Sequence, residues 1–232
     1  MDRMTIVSFA ALAGLAGGVA AQPFFISAGH TDILVGLENG ELEIEIEVIP
    51  GDGFFEVSPA FPDGVIDPVE GAGAVEPDEV IYNITQDQFD SASGTWRFGE
   101  DFGLNEQFVG WGAEEVDTGV FENDTLTFEL VSVSGPGNFR LFTIPDPFNP
   151  VEEVLLQNPG DQLDVFAASA DHFTFEFDQR GTYEITVFGF GTLVGESSPI
   201  FSDNATITFF VPAPGAAGLL GLAGLAAARR RR

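Results

Sequence analysis

From Thr31 onward the chain carries its clearest hydrophobic pattern. Asp32 to Leu37 is largely apolar, Glu38-Asn39-Gly40-Glu41 reads as a turn, and Leu42, Ile44, Ile46 and Val48 then alternate with Glu43, Glu45 and Glu47. Side chains two residues apart in a strand share a face, so the four apolar residues point inward and the glutamates are expected in solvent. Asn39-Gly40 suits the positive φ angles of a two-residue hairpin turn. Further strands are predicted at Val80–Thr85, Thr95–Phe98, Gln107–Trp111, Thr125–Val133, Phe139–Ile144, His172–Asp178, Thr182–Phe190 and Thr206–Val211. In His172–Asp178 the inward set is Phe173, Phe175 and Phe177. Gly, Pro, Asn and Asp clusters separate the strands, as at Pro59–Gly73 and Pro145–Pro150, and no amphipathic helix is evident between the two ends. Many short strands with frequent turns predict an all-β fold, an antiparallel two-sheet immunoglobulin-like β-sandwich. Asp178 to Tyr183 has the spacing of a tyrosine corner, in which a Tyr near the start of a late strand bonds upstream backbone.

The two ends follow a different pattern. Met1-Asp2-Arg3 precedes an apolar stretch from Met4 to Ala20, and Val19-Ala20-Ala21 supplies the small residues of a signal-peptidase site. A signal helix is expected over 1–21, with cleavage after Ala21 and export of the rest. At the other end, the sixteen residues from Ala213 to Ala228 carry no charge. As a helix they would span about 24 Å, short of the roughly 30 Å hydrocarbon core. Gly215, Gly218, Gly221 and Gly224 leave one face of that helix almost bare. Arg229, Arg230, Arg231 and Arg232 would stay cytoplasmic. A plain membrane anchor and a transiently inserted, removable segment are both consistent with this pattern, and the short length favours the second.

Val211-Pro212-Ala213-Pro214, the apolar segment and the arginine cluster together resemble the PEP-CTERM sorting signal. That tripartite tail marks substrates of the transpeptidase-like exosortases of diderm bacteria, and here Ala213 stands where the family's motif has Glu. The resemblance implies an exosortase-type partner and delivery to the outer surface, cell envelope or extracellular matrix. The expected organisation is therefore a signal peptide at 1–21, a β-sandwich at 22–210 and a sorting signal at 211–232.

Charge narrows the partners. Between the two ends remain 36 acidic residues and three basic ones, Arg97, Arg140 and Arg180, a net charge of −33 with no lysine in the chain. Such a surface repels nucleic acid and anionic membranes. The acids are spread along the strands rather than gathered in loops of ligand spacing, which favours adaptation to salt, where ions screen self-repulsion, over a calcium-dependent surface. Cysteine is absent and Phe numbers 24. A domain of this size can bury a core without disulfides, and the missing thiol removes cysteine catalysis and thiolate metal sites.

Candidate chemistry is sparse. The chain has two histidines, and both fall in segments that resemble the choice-of-anchor M domain, a bacterial surface module. One is Gly29-His30-Thr31-Asp32-Ile33 with the hairpin that follows. The other is His172-Phe173-Thr174-Phe175-Glu176-Phe177 followed by Gly181-x-Tyr183. The family's fuller form has a second His where this chain has Ala170. His30 and Asp32 share a strand face. If His172 comes near, the three offer a mixed nitrogen and oxygen site for zinc or another divalent metal. The same residues also suit histidines bonded to loops, with Asp32 capping a turn.

No Gly-x-Ser-x-Gly elbow or phosphate-cradling glycine loop is present, and no catalytic residue is assigned. Trp96 and Trp111 could stack on a sugar or belong to the core. The Asn-x-Thr triplets at Asn83, Asn123 and Asn204 read as turn-to-strand chemistry. The expectation is a non-enzymatic surface or matrix protein, structural or adhesive, with metal or exopolysaccharide binding as the alternative.

Overall fold

The structure is a computed structural model that describes residues 24–26, 29–49, 73–99, 107–145 and 151–212. The expected signal helix, the Ala21 cleavage site, the C-terminal hydrophobic helix, Pro214 and Arg229 to Arg232 lie outside these residues. No helix among the described residues is long and apolar enough to cross a membrane.

The chain begins with β1 (Phe24–Ile26), β2 (Gly29–Glu38), β3 (Glu41–Ile49) and β4 (Gly73–Val75). Next come β5 (Val80–Asn83), β6 (Phe89–Asp90), β7 (Thr95–Phe98), β8 (Gln107–Gly112) and β9 (Thr125–Ser134). Then follow β10 (Phe139–Thr143), β11 (Glu153–Leu156), β12 (Gln162–Phe166), β13 (Ala170–His172) and β14 (Thr174–Phe177). The last three are β15 (Gly181–Gly191), β16 (Ile200–Phe201) and β17 (Ala205–Val211). The helical turns among the described residues are short 3-10 turns, so the all-β reading stands.

Two antiparallel sheets were expected, but the described strands form three. One runs β1-β5-β17-β15-β9-β12 with β16 on β15, a second β11-β10-β14-β7-β6, and a third β13-β8-β2-β3-β4. Three ladders are parallel: β1 with β5, β5 with β17, and β2 with β8. Parallel neighbours need long connections, which local periodicity does not reveal.

The hairpin forms as the sequence predicts. Asn39 (φ 51°) and Gly40 (φ 90°) take the left-handed turn, and β2 pairs with β3 from Glu38↔Glu41 back to His30↔Ile49. Leu42, Ile44, Ile46 and Val48 are buried. The tyrosine corner is also present: the Tyr183 hydroxyl donates to the Gln179 carbonyl at 2.9 Å and accepts from the Gln179 N–H at 3.2 Å. Val211, which ends the expected strand Thr206–Val211 and opens the expected sorting signal, is a buried strand residue paired with Gly181.

Phenylalanines fill the core. Phe98 stacks on Phe175 with ring centroids 4.9 Å apart, and Phe177 and Phe209 close at 5.2 Å. Each buried ring removes enough apolar surface from water to contribute about 1.5–3 kcal/mol. Trp96 and Trp111 are buried as well, which removes them as a sugar platform. Asn123 holds a positive φ of 59° in a turn, in line with its reading as turn chemistry.

The cations serve the fold. Glu176 on β14 lies directly opposite Arg97 on β7 and Arg140 on β10. Both guanidinium Nε atoms donate to it at 2.5 Å, and Thr95 Oγ1 donates at 2.9 Å. Burial pushes the Glu176 carboxyl up, and the hydrogen bonds from Arg140, Arg97 and Thr95 outweigh it and hold the group below its ordinary value. Arg180 lies over the Trp96 ring at 5.1 Å.

Candidate metal centre

The expected single strand over His172–Asp178 divides in two. Ala170–His172 joins β8 in the third sheet, whereas Thr174–Phe177 joins β7 and β10 in the second. Phe173 is the crossing point. Its carbonyl lies where a Cβ on Gly99 would approach to 2.4 Å, and Gly99 holds a φ of 113° there. This crossing carries His172 to the edge of the sheet that contains His30 and Asp32.

Register then assembles a row. His172 pairs with Gly110 across β13–β8, Gly110 with Asp32 across β8–β2, and Asp32 with Glu47 across β2–β3. Paired residues place their side chains on one face. Two strand spacings, roughly 9–10 Å, separate the His172 and Asp32 backbones, and the side chains meet over the residue that has none. A Cβ on Gly110 would lie 2.0 Å from Asp32 Oδ1 and 3.1 Å from His172 Nε2.

His30 joins from two positions along β2. Its Nε2 is 3.0 Å from His172 Nε2 and 3.4 Å from Asp32 Oδ2, and His172 Nε2 is 3.5 Å from Asp32 Oδ1. Around a tetrahedral ion with ligand bonds of 2.0–2.2 Å, neighbouring donors stand roughly 3.3–3.6 Å apart. The observed spacings approach that pattern with no rearrangement of strands. Phe108 walls the site, stacking on His172 at 3.6 Å and meeting His30 edge-on at 4.9 Å.

Asp32 is 1% exposed, and its Oδ1 has no hydrogen-bond partner among the described residues. A buried carboxylate oxygen without a donor is costly, and a cation satisfies it. Burial, opposed by Asp32 and aided by His30, holds the His172 imidazole below its ordinary value, which favours the neutral ring whose nitrogen can bind metal.

The structure brings together all three residues that the sequence nominated. It also adds four that were not nominated: Gly110, Phe108, Glu47 and Glu114. Glu47 was expected in solvent but is half-buried, as is Glu45. Both lie near the segment that follows β8. Burial, then Glu114, Glu115 and Asp32, raises the Glu47 pKa, with His30 opposing. Burial, then Glu115, raises Glu45 to about 7. Counting back from the Asn39-Gly40 turn pairs Asp32 with Glu47, so that signal was in the sequence. Gly110 and Glu114 depend on a parallel ladder and left no local trace. No family model, characterised protein or solved structure matches the chain.

Proposed function

We propose that this chain is an exported, non-enzymatic surface or matrix module that holds a divalent transition metal, zinc by its donor set, at His30, Asp32 and His172. One observation carries the reading. Two imidazole Nε2 atoms 3.0 Å apart flank a buried carboxylate whose Oδ1 has no hydrogen-bond partner among the described residues. Two nitrogens and a carboxylate suit zinc and its first-row neighbours. His30 and His172 are 142 residues apart, so an ion between them would clamp the two sheet strands β2 and β13, a structural role suited to an adhesive module. Tyr183 supports an immunoglobulin-like arrangement of the closing strands.

Export rests on the sequence of the two ends. Signal peptidase would act after Ala21, and an exosortase-type enzyme would act near Pro212 to Pro214 after transient insertion of the hydrophobic tail. The histidine segments support kinship with choice-of-anchor M modules. Exopolysaccharide binding is the second reading, favoured by the surface trio Phe188, Phe190 and Phe201, whose ring centroids lie 5.8–6.0 Å apart. A glycan array tests it, and loss of a bound glycan in Phe201→Ala is the supporting result.

The metal reading is tested by thermal melts of the full chain with and without zinc. A hundredfold excess over Kd stabilises by about 2.7 kcal/mol. A rise of several degrees that disappears in His172→Ala supports the site, and an unchanged melting temperature rejects it. Mass spectrometry of the mature C-terminus tests sorting: an end near Pro212 to Pro214 supports it, and an intact Arg232 restores the plain anchor.

A further inference from the structure

The surface trio of Phe188, Phe190 and Phe201 does not stand alone. Phe190 and Phe201 are partners across β15–β16, and Phe188 lies two residues along β15 on the same face. Phe201 is 58% exposed, and contiguous apolar surface of this kind marks interaction sites. A bridge between Leu42 and Ser202 seats the β2–β3 hairpin beside the trio. Between the hairpin and the start of β17 lies an open cavity of about 810 Å³, and Phe201 belongs to its wall. That volume falls within the roughly 300–1,000 Å³ of sites that hold small ligands.

Charge selects the occupant. Glu41, Glu43, Glu76, Asp78 and Asp203 line the cavity, and none of its described lining residues is basic. A second copy of this acidic chain and an anionic polymer are both repelled, whereas an ammonium group is drawn to carboxylates and to the face of an aromatic ring. A basic peptide would satisfy the acids and leave three rings in water. A sugar ring sets its C–H face on the rings and turns its hydroxyls to polar groups such as the exposed Asn204 at the cavity. We propose that the aromatic trio and the adjoining cavity form one binding surface for a cationic amino-sugar polymer, a polysaccharide with free amines. The proposal rests on the exopolysaccharide reading above and names its class: the rings stack on sugar faces, and the carboxylates take the ammonium groups.

The test is calorimetry of the full chain with a β-linked glucosamine oligosaccharide and with its N-acetylated counterpart of equal length. In about 0.15 M salt, charges beyond about 8 Å are screened, so the acids at the cavity rather than the whole surface set the affinity. The amine form should bind at least tenfold tighter than the acetylated form. Glu43→Gln/Asp203→Asn should weaken the amine form at least tenfold and leave the acetylated form unchanged. Phe201→Ala should weaken both, and each variant is checked for folding by circular dichroism. Asp87→Asn/Glu153→Gln, which removes two exposed acids beside or on strands of the second sheet, should change neither. Equal binding of the two forms overturns the choice of a cationic sugar and leaves the exopolysaccharide reading standing. An equal loss in Asp87→Asn/Glu153→Gln and in Glu43→Gln/Asp203→Asn, or equal binding of oligolysine, overturns the proposal in favour of diffuse charge attraction. Binding of neither form also overturns it, and if no glycan on an array is retained either, the exopolysaccharide reading fails with it.

Discussion

Glu176→Gln removes one negative charge from a buried carboxylate that two arginines and a threonine share. Glu176 Oε1 accepts from Arg140 and Oε2 from Arg97 and Thr95. The Glu176 side chain is 10% exposed, and the two arginines are 24% and 30% exposed. Glutamine keeps one acceptor but turns an NH₂ group toward a guanidinium. Loss of one partner from a fully buried pair costs about 3–5 kcal/mol. Because both guanidiniums reach water, the expected loss is about 2–3 kcal/mol. At about 2–4 °C per kcal/mol for a domain of this size, the melting temperature falls by roughly 4–12 °C. Urea unfolding of the full chain measures the loss directly, with exposed Glu184→Gln as a control expected to stay within about 0.5 kcal/mol. The Glu176 pKa is lowered from 4.5. Its contribution is therefore present above pH 4.5 and is lost as pH falls through the folded value. Glu176→Gln should lack that acid-side loss. A variant indistinguishable from Glu184→Gln would refute the claim that this carboxylate ties three strands together.

Three further outcomes follow from named contacts. Glu45 has its pKa raised to about 7 by burial first and the Glu115 charge next, so its stabilising contribution is full below pH 4.5 and lost as pH rises through 7. Melting temperature measured between pH 5 and 8 should fall with rising pH, and Glu45→Gln should flatten that slope. Tyr183→Phe removes the hydroxyl that bonds both the N–H and carbonyl of Gln179, and should cost about 1–2 kcal/mol in urea unfolding. Gly110→Ala places a Cβ 2.0 Å from Asp32 Oδ1. It should cost about 1–3 kcal/mol and reduce zinc affinity at least tenfold by calorimetry.

The local parts of the fold were legible because their causes are local. Asn39-Gly40 sets a turn, alternation sets the buried face of β3, and Tyr183 with Gln179 sets the corner. Short strands without a clear apolar repeat escaped, such as Glu153–Leu156, which is mostly exposed. The break at Phe173 escaped for another reason: alternation continues through a change of sheet, since both faces of Thr174–Phe177 are buried. Both histidines and Asp32 could be nominated from scarcity and spacing. Their meeting depended on Gly110, whose missing side chain is meaningful only once β2 and β8 are known to run parallel. The same non-local pairing turned Glu47 from a solvated strand residue into a member of a carboxylate group.

X-ray absorption at the zinc edge of the full chain loaded with one equivalent of zinc tests the central claim most directly. The account predicts two imidazole nitrogens and carboxylate oxygen at about 2.0–2.2 Å, with the imidazole signal reduced in His172→Ala. A shell of oxygen alone, unchanged by that substitution, would contradict it.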